Sequence, residues 1–179
     1  MKAVFQPIQI GPLRVRNRIE VSPAEPMLCT KDGLVTPEFV DFTAQFAKMG
    51  AGIVTVGDSP VTQAYANTNH YVVNLADPFI VHGLFRVTDA IHRWGATASI
   101  ELNLRDERLP AEFSHDEVKD IIRAFADAAE RSRKAEFDMV MLHFGHGHTA
   151  ASFYSPHVNK RTDEYGCQNF ENRCRFALE

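Results

Sequence analysis

The sequence predicts an α/β fold of four parallel strand–helix units, and three observations support this. Four short runs rich in β-branched and other apolar residues alternate along the chain with four segments of helical periodicity. Residues that typically start and stop helices flank these segments. The strands are apolar on both faces, which is typical of a parallel sheet covered by helices. The pattern alone leaves open whether the sheet is doubly wound or part of a β/α barrel.

The first two units fill the N-terminal half of the chain. Their strands are predicted at 17–24 and 51–57, and their helices at 36–50 and 77–95. Thr36 is the expected N-cap of the first helix, Pro37 takes its first position and Gly50 ends it. Asp77 opens the second helix and Gly95 closes it, so the same arrangement occurs twice.

The third and fourth units follow the same order. Their strands are predicted at 96–104 and 137–144, and their helices at 114–136 and from 169 to 179. Ser114 and Glu117 have the spacing of a capping box, which supports the start of the third helix. Neither GxGxxG nor GxxxxGK[ST] follows any strand, so the usual phosphate loops of an open sheet are missing.

Length and charge limit the classes of function. With 179 residues and 45% hydrophobic content, one domain spanning residues 1–179 is expected. The net charge is −4 with acids and bases interleaved, so no basic stripe is present for nucleic acid and no polybasic patch for a membrane surface. We therefore expect neither nucleic acid nor a membrane as a partner.

Targeting features and cysteines indicate a cellular compartment. The N-terminal segment has no apolar stretch of signal-peptide length, and nowhere do about eighteen apolar residues run together. Cys29, Cys167 and Cys174 are odd in number and form no CxxC pair, which argues against a disulfide framework. We expect reduced thiols in a soluble, cytoplasmic protein.

Polar side chains collect where the four predicted strands end. In parallel β/α folds the chemistry lies at the carboxyl ends of the strands, so these groups are the candidates for a site. They are Ser22 to Glu25, Gly57 with Asp58, Glu101 to Asn103, and His143 to His148.

The last of these groups, MLHFGHGH at 141–148, contains three histidines within six positions. Two neutral imidazoles side by side can donate hydrogen bonds to one carbonyl oxygen and stabilise the negative charge that develops on it. The same His-x-x-His-x-His spacing offers three nitrogen ligands to a metal, but no carboxylate or cysteine lies close in sequence to complete that site. Loop histidines bonded to the backbone are the third interpretation. No metal is expected.

Beyond these patterns, the chain resembles the old yellow enzyme family of flavin-dependent ene-reductases. The resemblance covers nearly the whole chain, from FQPIQIGPLRVRNRI at 5–19 to the segment MLHFGHGHTAASFYSPHVNKRTDEYG at 141–166. Its most specific residues are Arg161, Thr162, Asp163, Tyr165, Gly166, Glu171, Asn172 and Arg173.

This resemblance implies a TIM barrel that binds FMN, takes reducing equivalents from NAD(P)H and reduces an alkene conjugated to a carbonyl. By match of position, His143 and His146 would hold the carbonyl oxygen of an enone or enoyl substrate. His148 occupies the place of the proton-donor tyrosine and would act there only if charged or in a suitable tautomer.

The resemblance also implies the residues that contact the flavin. Pro23 and Ala24 fall where a Pro-Met pair lines the flavin, and Gly57 falls where a small residue faces it. Glu101 takes the place of a glutamine that hydrogen-bonds the pyrimidine edge, although an ionised carboxylate accepts and does not donate. Glu136 occupies a turn position that is usually glycine in the family.

Four of the eight units of such a barrel are present, so a half-barrel is expected. In the family the phosphate-binding loops lie in the other half. Half a barrel exposes two sheet edges, which a second copy of the chain, or a partner carrying the other half, would cover. A monomer with a repacked open sheet is a third arrangement. The alternative function is a non-catalytic half-barrel scaffold that self-associates without flavin.

Overall fold

A computed structural model describes residues 2–179, and its principal sheet has four parallel strands. Six strands occur in these residues: β1 (Ile8–Ile10), β2 (Leu13–Val15), β3 (Glu20–Val21), β4 (Ile53–Val56), β5 (Thr97–Leu102) and β6 (Met139–Leu142). The helices are α1 (Pro37–Lys48), α2 (Gln63–Ala66), α3 (Ile80–His92), α4 (His115–Lys134), α5 (Thr149–Tyr154) and α6 (Phe170–Leu178). The parallel sheet has the order β3-β4-β5-β6, as expected of consecutive β/α units.

The first two strands form a hairpin that the sequence analysis did not predict. β1 and β2 pair antiparallel, and Gly11 takes a positive φ of 53° in the turn between them. Between the hairpin and β3, Nδ2 of Asn17 donates to the carbonyl of Gly50 at 2.8 Å. The hairpin therefore precedes the sheet without adding a strand to it.

The register of the sheet decides which side chains face the helices. Val56 pairs with Ile100, and Ile100 pairs with Val140, so these three side chains point to the same side. On that side the buried core forms against α1, α3 and α4, with Leu84 and Val118 fully enclosed. Burial of this kind stabilises by about 25 cal/mol per Å² of apolar surface.

The opposite face of the sheet is more polar, and it leads to the strand ends. Thr55 pairs with Ser99, and Ser99 pairs with Met139 on this side. Thr55 donates a hydrogen bond to the carboxylate of Glu20 at 2.8 Å. Glu101 lies two residues further along β5, so it projects from the same face.

The predicted helix starts are mostly confirmed. The Thr36 hydroxyl accepts from the amide of Phe39 at 3.2 Å, and the Ser114 and Glu117 side chains bond each other's amides at 3.2 and 2.7 Å. α3 begins at Ile80, three residues after the predicted Asp77. Asp77 instead begins a turn, in which its carboxylate accepts a hydrogen bond from the amide of Phe79 at 2.8 Å.

Arg161 anchors the long loop after β6 to the connection before α4 through hydrogen bonds. Arg161 is almost fully buried, pairs with Asp163, and donates to the carbonyl of Pro110 at 2.7 Å and to that of Phe113. Because two of its acceptors belong to the connection before α4, the guanidinium joins two loops. Its role is structural.

The edge strand β6 presents apolar side chains to the surface. Val140 and Leu142 are 42% and 41% exposed, beside a groove of about 210 Å³ between α4 and α6. Phe125 and Phe176 line this groove. This is the face on which a further β/α unit would pack in a complete barrel.

Within residues 2–179, no helix is long and apolar enough to cross a membrane. Cys29, Cys167 and Cys174 are all free, and Cys29 is buried. Burial raises the pKa of the Cys29 thiol to about 12. This thiol is therefore protonated at neutral pH.

Candidate active site

The ends of β3, β4 and β5 bring the four predicted flavin-contacting residues together. Ala24 forms an isolated bridge with Gly57. A Cβ atom added to Gly57 would lie 2.7 Å from the Cβ of Pro23 and 2.8 Å from Oε2 of Glu101. Only glycine fits between these two neighbours without displacing them. Pro23, Ala24, Gly57 and Glu101 thus form one continuous surface, the strand-end platform.

The buried carboxylate of Glu101 contacts the first of the three histidines. Its Oε1 lies 2.8 Å from Nδ1 of His143, and the two side chains are 8% and 14% exposed. The other ring nitrogen of His143, Nε2, lies 3.1 Å from Nδ1 of His146, which is exposed. Both nitrogens of His143 are therefore engaged within the protein. Among these two imidazoles, only Nε2 of His146 remains free to contact a ligand.

Burial is the main influence on the charge of Glu101. Desolvation raises its pKa above the ordinary value, and the nearby carboxylate of Asp58 adds to that rise. His143 acts in the opposite direction through its charge and its hydrogen bond, and His146 does so through its charge. Glu101 is thus able to hold a proton at a higher pH than a solvent-exposed glutamate.

The third histidine is held by a separate network. Nδ1 of His148 lies 2.9 Å from Oδ1 of Asn103, whose Nδ2 donates to Oδ1 of Asp58 at 2.7 Å. The other oxygen of Asp58 accepts from the hydroxyl of Tyr65 at 2.6 Å and from Nδ2 of Asn69 at 3.0 Å. Asp58 is 5% exposed, so three neutral donors satisfy a buried carboxylate.

This network fixes the tautomer of His148. Because a carboxylate only accepts, the amide nitrogen of Asn103 must face Asp58 and its carbonyl oxygen must face His148. Nδ1 of His148 therefore carries the hydrogen. Burial, together with the charges of His143 and Arg105, lowers the pKa of His148. A neutral His148 presents a lone pair at Nε2, where it accepts a hydrogen bond.

An open cleft of about 630 Å³ lies beside this network. His148, Tyr65 and Asn69 line one part of it, and Arg105 and Glu25 line another. The cleft leads from solvent to His148 and is large enough for a small organic molecule.

Four residues of the network that holds His148 have no role predicted from the sequence. Asp58 and Asn103 are only among the polar groups expected at strand ends. Tyr65 lies in the short helix α2 and Asn69 just beyond it, within a segment that the sequence pattern describes only as a loop. No sequence signal marks these two, since their contact with Asp58 depends on how that loop folds back.

The three imidazoles are close without forming a metal site. Their ring centroids are 4.6, 5.0 and 6.1 Å apart. Among residues 2–179, no group of three histidine, cysteine, aspartate or glutamate side chains has an arrangement that could hold a metal ion. The hydrogen bonds to both nitrogens of His143 also occupy the atoms that would coordinate.

Comparison with known proteins places the chain in a sequence family. The sequence profile of the NADH:flavin oxidoreductase / NADH oxidase family matches residues 3–112 and 103–179. An NADH oxidase of Thermoanaerobacter brockii is 29% identical over 200 residues, which are 98% of this chain and 31% of that protein. A metal reductase of Desulforamulus reducens is 32% identical over 206 residues, which are 100% of this chain and 30% of that protein. The chain spans less than a third of these curated relatives.

Solved structures agree on the fold. Old Yellow Enzyme from Pichia sp. AKU4542 superposes with a TM-score of 0.89 at 21% identity, over 98% of this chain and 54% of that one. Morphinone reductase in complex with tetrahydroNAD gives a TM-score of 0.85 at 22% identity, over 99% and 59% of the two chains. The prediction of parallel β/α units from a TIM barrel is confirmed, and so is the resemblance to the old yellow enzyme family.

Proposed function

This chain belongs to the NADH:flavin oxidoreductase / NADH oxidase family, and we propose that it acts as an FMN-dependent oxidoreductase that uses NAD(P)H to reduce an alkene conjugated to a carbonyl group. FMN and a nicotinamide reductant are the cofactor and the reductant of that family, as predicted. The observation that carries the proposal is the meeting of the strand-end platform with His143, His146 and His148 at one edge of the sheet.

The platform suits a flavin ring. Pro23 and Ala24 offer apolar side chains beside Gly57, which adds no side chain of its own. Oε2 of Glu101 is able to accept a hydrogen bond from the imide N–H of a pyrimidine edge, or to donate one when the carboxyl is protonated. Bound FMN would supply the transfer of hydride between the nicotinamide and the alkene.

The histidines would orient the substrate. Nε2 of His146 is the free nitrogen of the first pair, and it donates to a carbonyl oxygen whenever it bears a hydrogen. His143 would position His146 and not contact the substrate itself, because its two nitrogens are hydrogen-bonded to Glu101 and His146. His148 lines the cleft and, when neutral, accepts a hydrogen bond from the substrate side at Nε2.

Closure of the barrel needs further strands. The exposed side chains of Val140 and Leu142 and the groove between α4 and α6 support the proposal that more β/α units pack against β6. A second copy of this chain, or a chain carrying the remaining units, would provide them. Light scattering tests the homodimer, and a single-chain mass at every concentration would exclude it.

The free cysteines support a reducing compartment, and we propose the cytoplasm as the site of action. The competing function, a scaffold without flavin, predicts that the same edges associate while no cofactor binds. It is less well supported, because the residues that face the flavin in the resemblance converge in space.

Anaerobic turnover tests the proposed activity. The chain is mixed with FMN, NADPH or NADH, and a cyclic enone, and oxidation of the nicotinamide is followed together with formation of the saturated ketone. We expect enone-dependent oxidation that falls at least tenfold in His146→Ala, with weaker binding of a phenol to the same variant. Flavin binding without any saturated product would refute alkene reduction.

A further inference from the structure

We propose that Glu101, His143 and His146 form a relay that stores one shared proton and delivers it to the substrate from Nε2 of His146. The identity of the acceptor rests on the proposed function, whereas the relay itself does not. In this arrangement Glu101 is a positioning and proton-storing residue that acts through His143.

The geometry of the three groups is that of a proton wire. Oε1 of Glu101 and Nδ1 of His143 are 2.8 Å apart, and Nε2 of His143 and Nδ1 of His146 are 3.1 Å apart. Both distances allow hydrogen bonds. Exposure rises along the wire, from a buried carboxylate through a largely buried imidazole to an exposed one. One end is therefore shielded from water and the other is open to solvent.

The wire has two protonation states that differ by one proton. Without the extra proton, His146 donates from Nδ1 to Nε2 of His143, and His143 donates from Nδ1 to the ionised Glu101. Nε2 of His146 then has only a lone pair. With the extra proton held as a carboxylic acid, Glu101 donates to Nδ1 of His143, whose Nε2–H donates to Nδ1 of His146. Nε2 of His146 then carries the hydrogen that a carbonyl oxygen accepts.

The charges around the wire act on both states. The carboxylate of Asp58, after β4, raises the pKa of Glu101 and so favours the protonated wire. The hydroxyl of Tyr65 in α2 donates to Asp58 and disperses part of that charge. Burial and the charge of Arg105 lower the pKa of His148. A proton is therefore favoured at Glu101 and disfavoured at His148.

Neutral His148 cannot supply a proton to the substrate. Its Nδ1 hydrogen is committed to Asn103, and its Nε2 has no hydrogen to give. Addition of hydride to one carbon of the conjugated alkene leaves an enolate. His146 gives its Nε2 proton to the enolate oxygen, His143 passes its own to His146, and Glu101 passes its own to His143. The resulting enol becomes the ketone by releasing its O–H proton to water while water protonates the other carbon. The wire ends with Glu101 ionised and takes its next proton from water.

Histidine nitrogen chemical shifts test the relay in the flavin-free protein. In ¹⁵N-histidine-labelled protein titrated with acid, we expect His143 and His146 to change together at one midpoint, with both rings in the Nδ1–H form above it and in the Nε2–H form below it. In Glu101→Gln the loss of the carboxylate should lower that midpoint by about one pH unit, a tenfold loss of proton affinity, and separate the two titrations. Glu107→Gln removes an exposed carboxylate from the loop that follows β5 and should leave the midpoint in place.

Two results would overturn the relay. One is independent titration of His143 and His146 in the unmodified protein. The other is an unchanged midpoint in Glu101→Gln. If that variant does not fold, the tautomers of the unmodified protein still decide, because a neutral His146 with its hydrogen on Nε2 above the shared midpoint contradicts the wire. A shared midpoint without alkene reduction would refute the proposed function and keep the relay. Alkene reduction with independent titration of His143 and His146 would refute the relay and keep the proposed function.

Discussion

Replacing Gly57 by alanine tests the packing of the strand-end platform. The added methyl carbon would start 2.7 Å from the Cβ of Pro23 and 2.8 Å from Oε2 of Glu101. Carbon atoms in contact prefer a separation of about 3.5 to 4.0 Å, so Pro23 must move by roughly 1 Å. Glu101 is also not free to swing away, because His143 holds its other oxygen.

The expected cost of this substitution follows from the overlap. Overpacking by one methyl in a tight site typically destabilises a protein by about 1 to 3 kcal/mol. For a chain of this size, each kcal/mol lowers the melting temperature by about 2 to 4 °C, so Gly57→Ala should lose about 2 to 12 °C. Displacement of Pro23 also tilts the surface proposed for the flavin, and FMN affinity should fall at least tenfold.

Differential scanning calorimetry and FMN fluorescence quenching measure the two effects. Gly145→Ala is the matched control, because its new Cβ would meet its nearest atom, Cε1 of His143, at 3.7 Å, an ordinary contact. The melting temperature of the control should not decrease. If Gly57→Ala keeps both the melting temperature and the FMN affinity of the unmodified chain, the platform is not packed as described.

Three further predictions follow from burial. Leu84→Ala removes a fully buried side chain and should cost about 2 to 5 kcal/mol in urea unfolding, and a smaller loss would mean that the core collapses around the gap. Cys29, with its pKa raised to about 12, should react with a thiol reagent at pH 8 only after unfolding, whereas rapid labelling would contradict its burial. Because the pKa of His148 is lowered below 6.5, its stabilising contribution is present above pH 6.5 and is lost as the pH falls through the folded value. His148→Gln should lack that loss in a series of unfolding curves, and an identical pH dependence would refute the assignment.

The order of units was predictable because each strand and helix carries a local signal. β-branched runs mark β4 and β5, and capping groups such as Ser114 mark helix starts independently of distant contacts. The β1–β2 hairpin escaped prediction because its strands have three residues each, too few for periodicity to be recognised. The positive φ of Glu136, 63°, fits the turn position that the resemblance assigned to glycine.

The sequence indicated several residues of the candidate site, but not the hydrogen bonds between them. Strand-end position and resemblance together selected Glu101 and His143, which the sheet register brings near each other through the pairing of Glu101 with Met141. Their contact spans 42 positions of sequence, as given by their numbers, and depends on that register. The tautomer of His148 depends on Asn103 and Asp58, whose roles only the folded arrangement discloses.

Native mass spectrometry with added FMN tests most directly whether these strand ends form a flavin site. One spectrum reports the number of chains and any bound mass equal to FMN. We expect an assembly that carries FMN, and a marked loss of that mass in Gly57→Ala with retention in Gly145→Ala. Chains that bind no FMN in any assembly state would show that these strand ends are not a flavin site and would favour the scaffold.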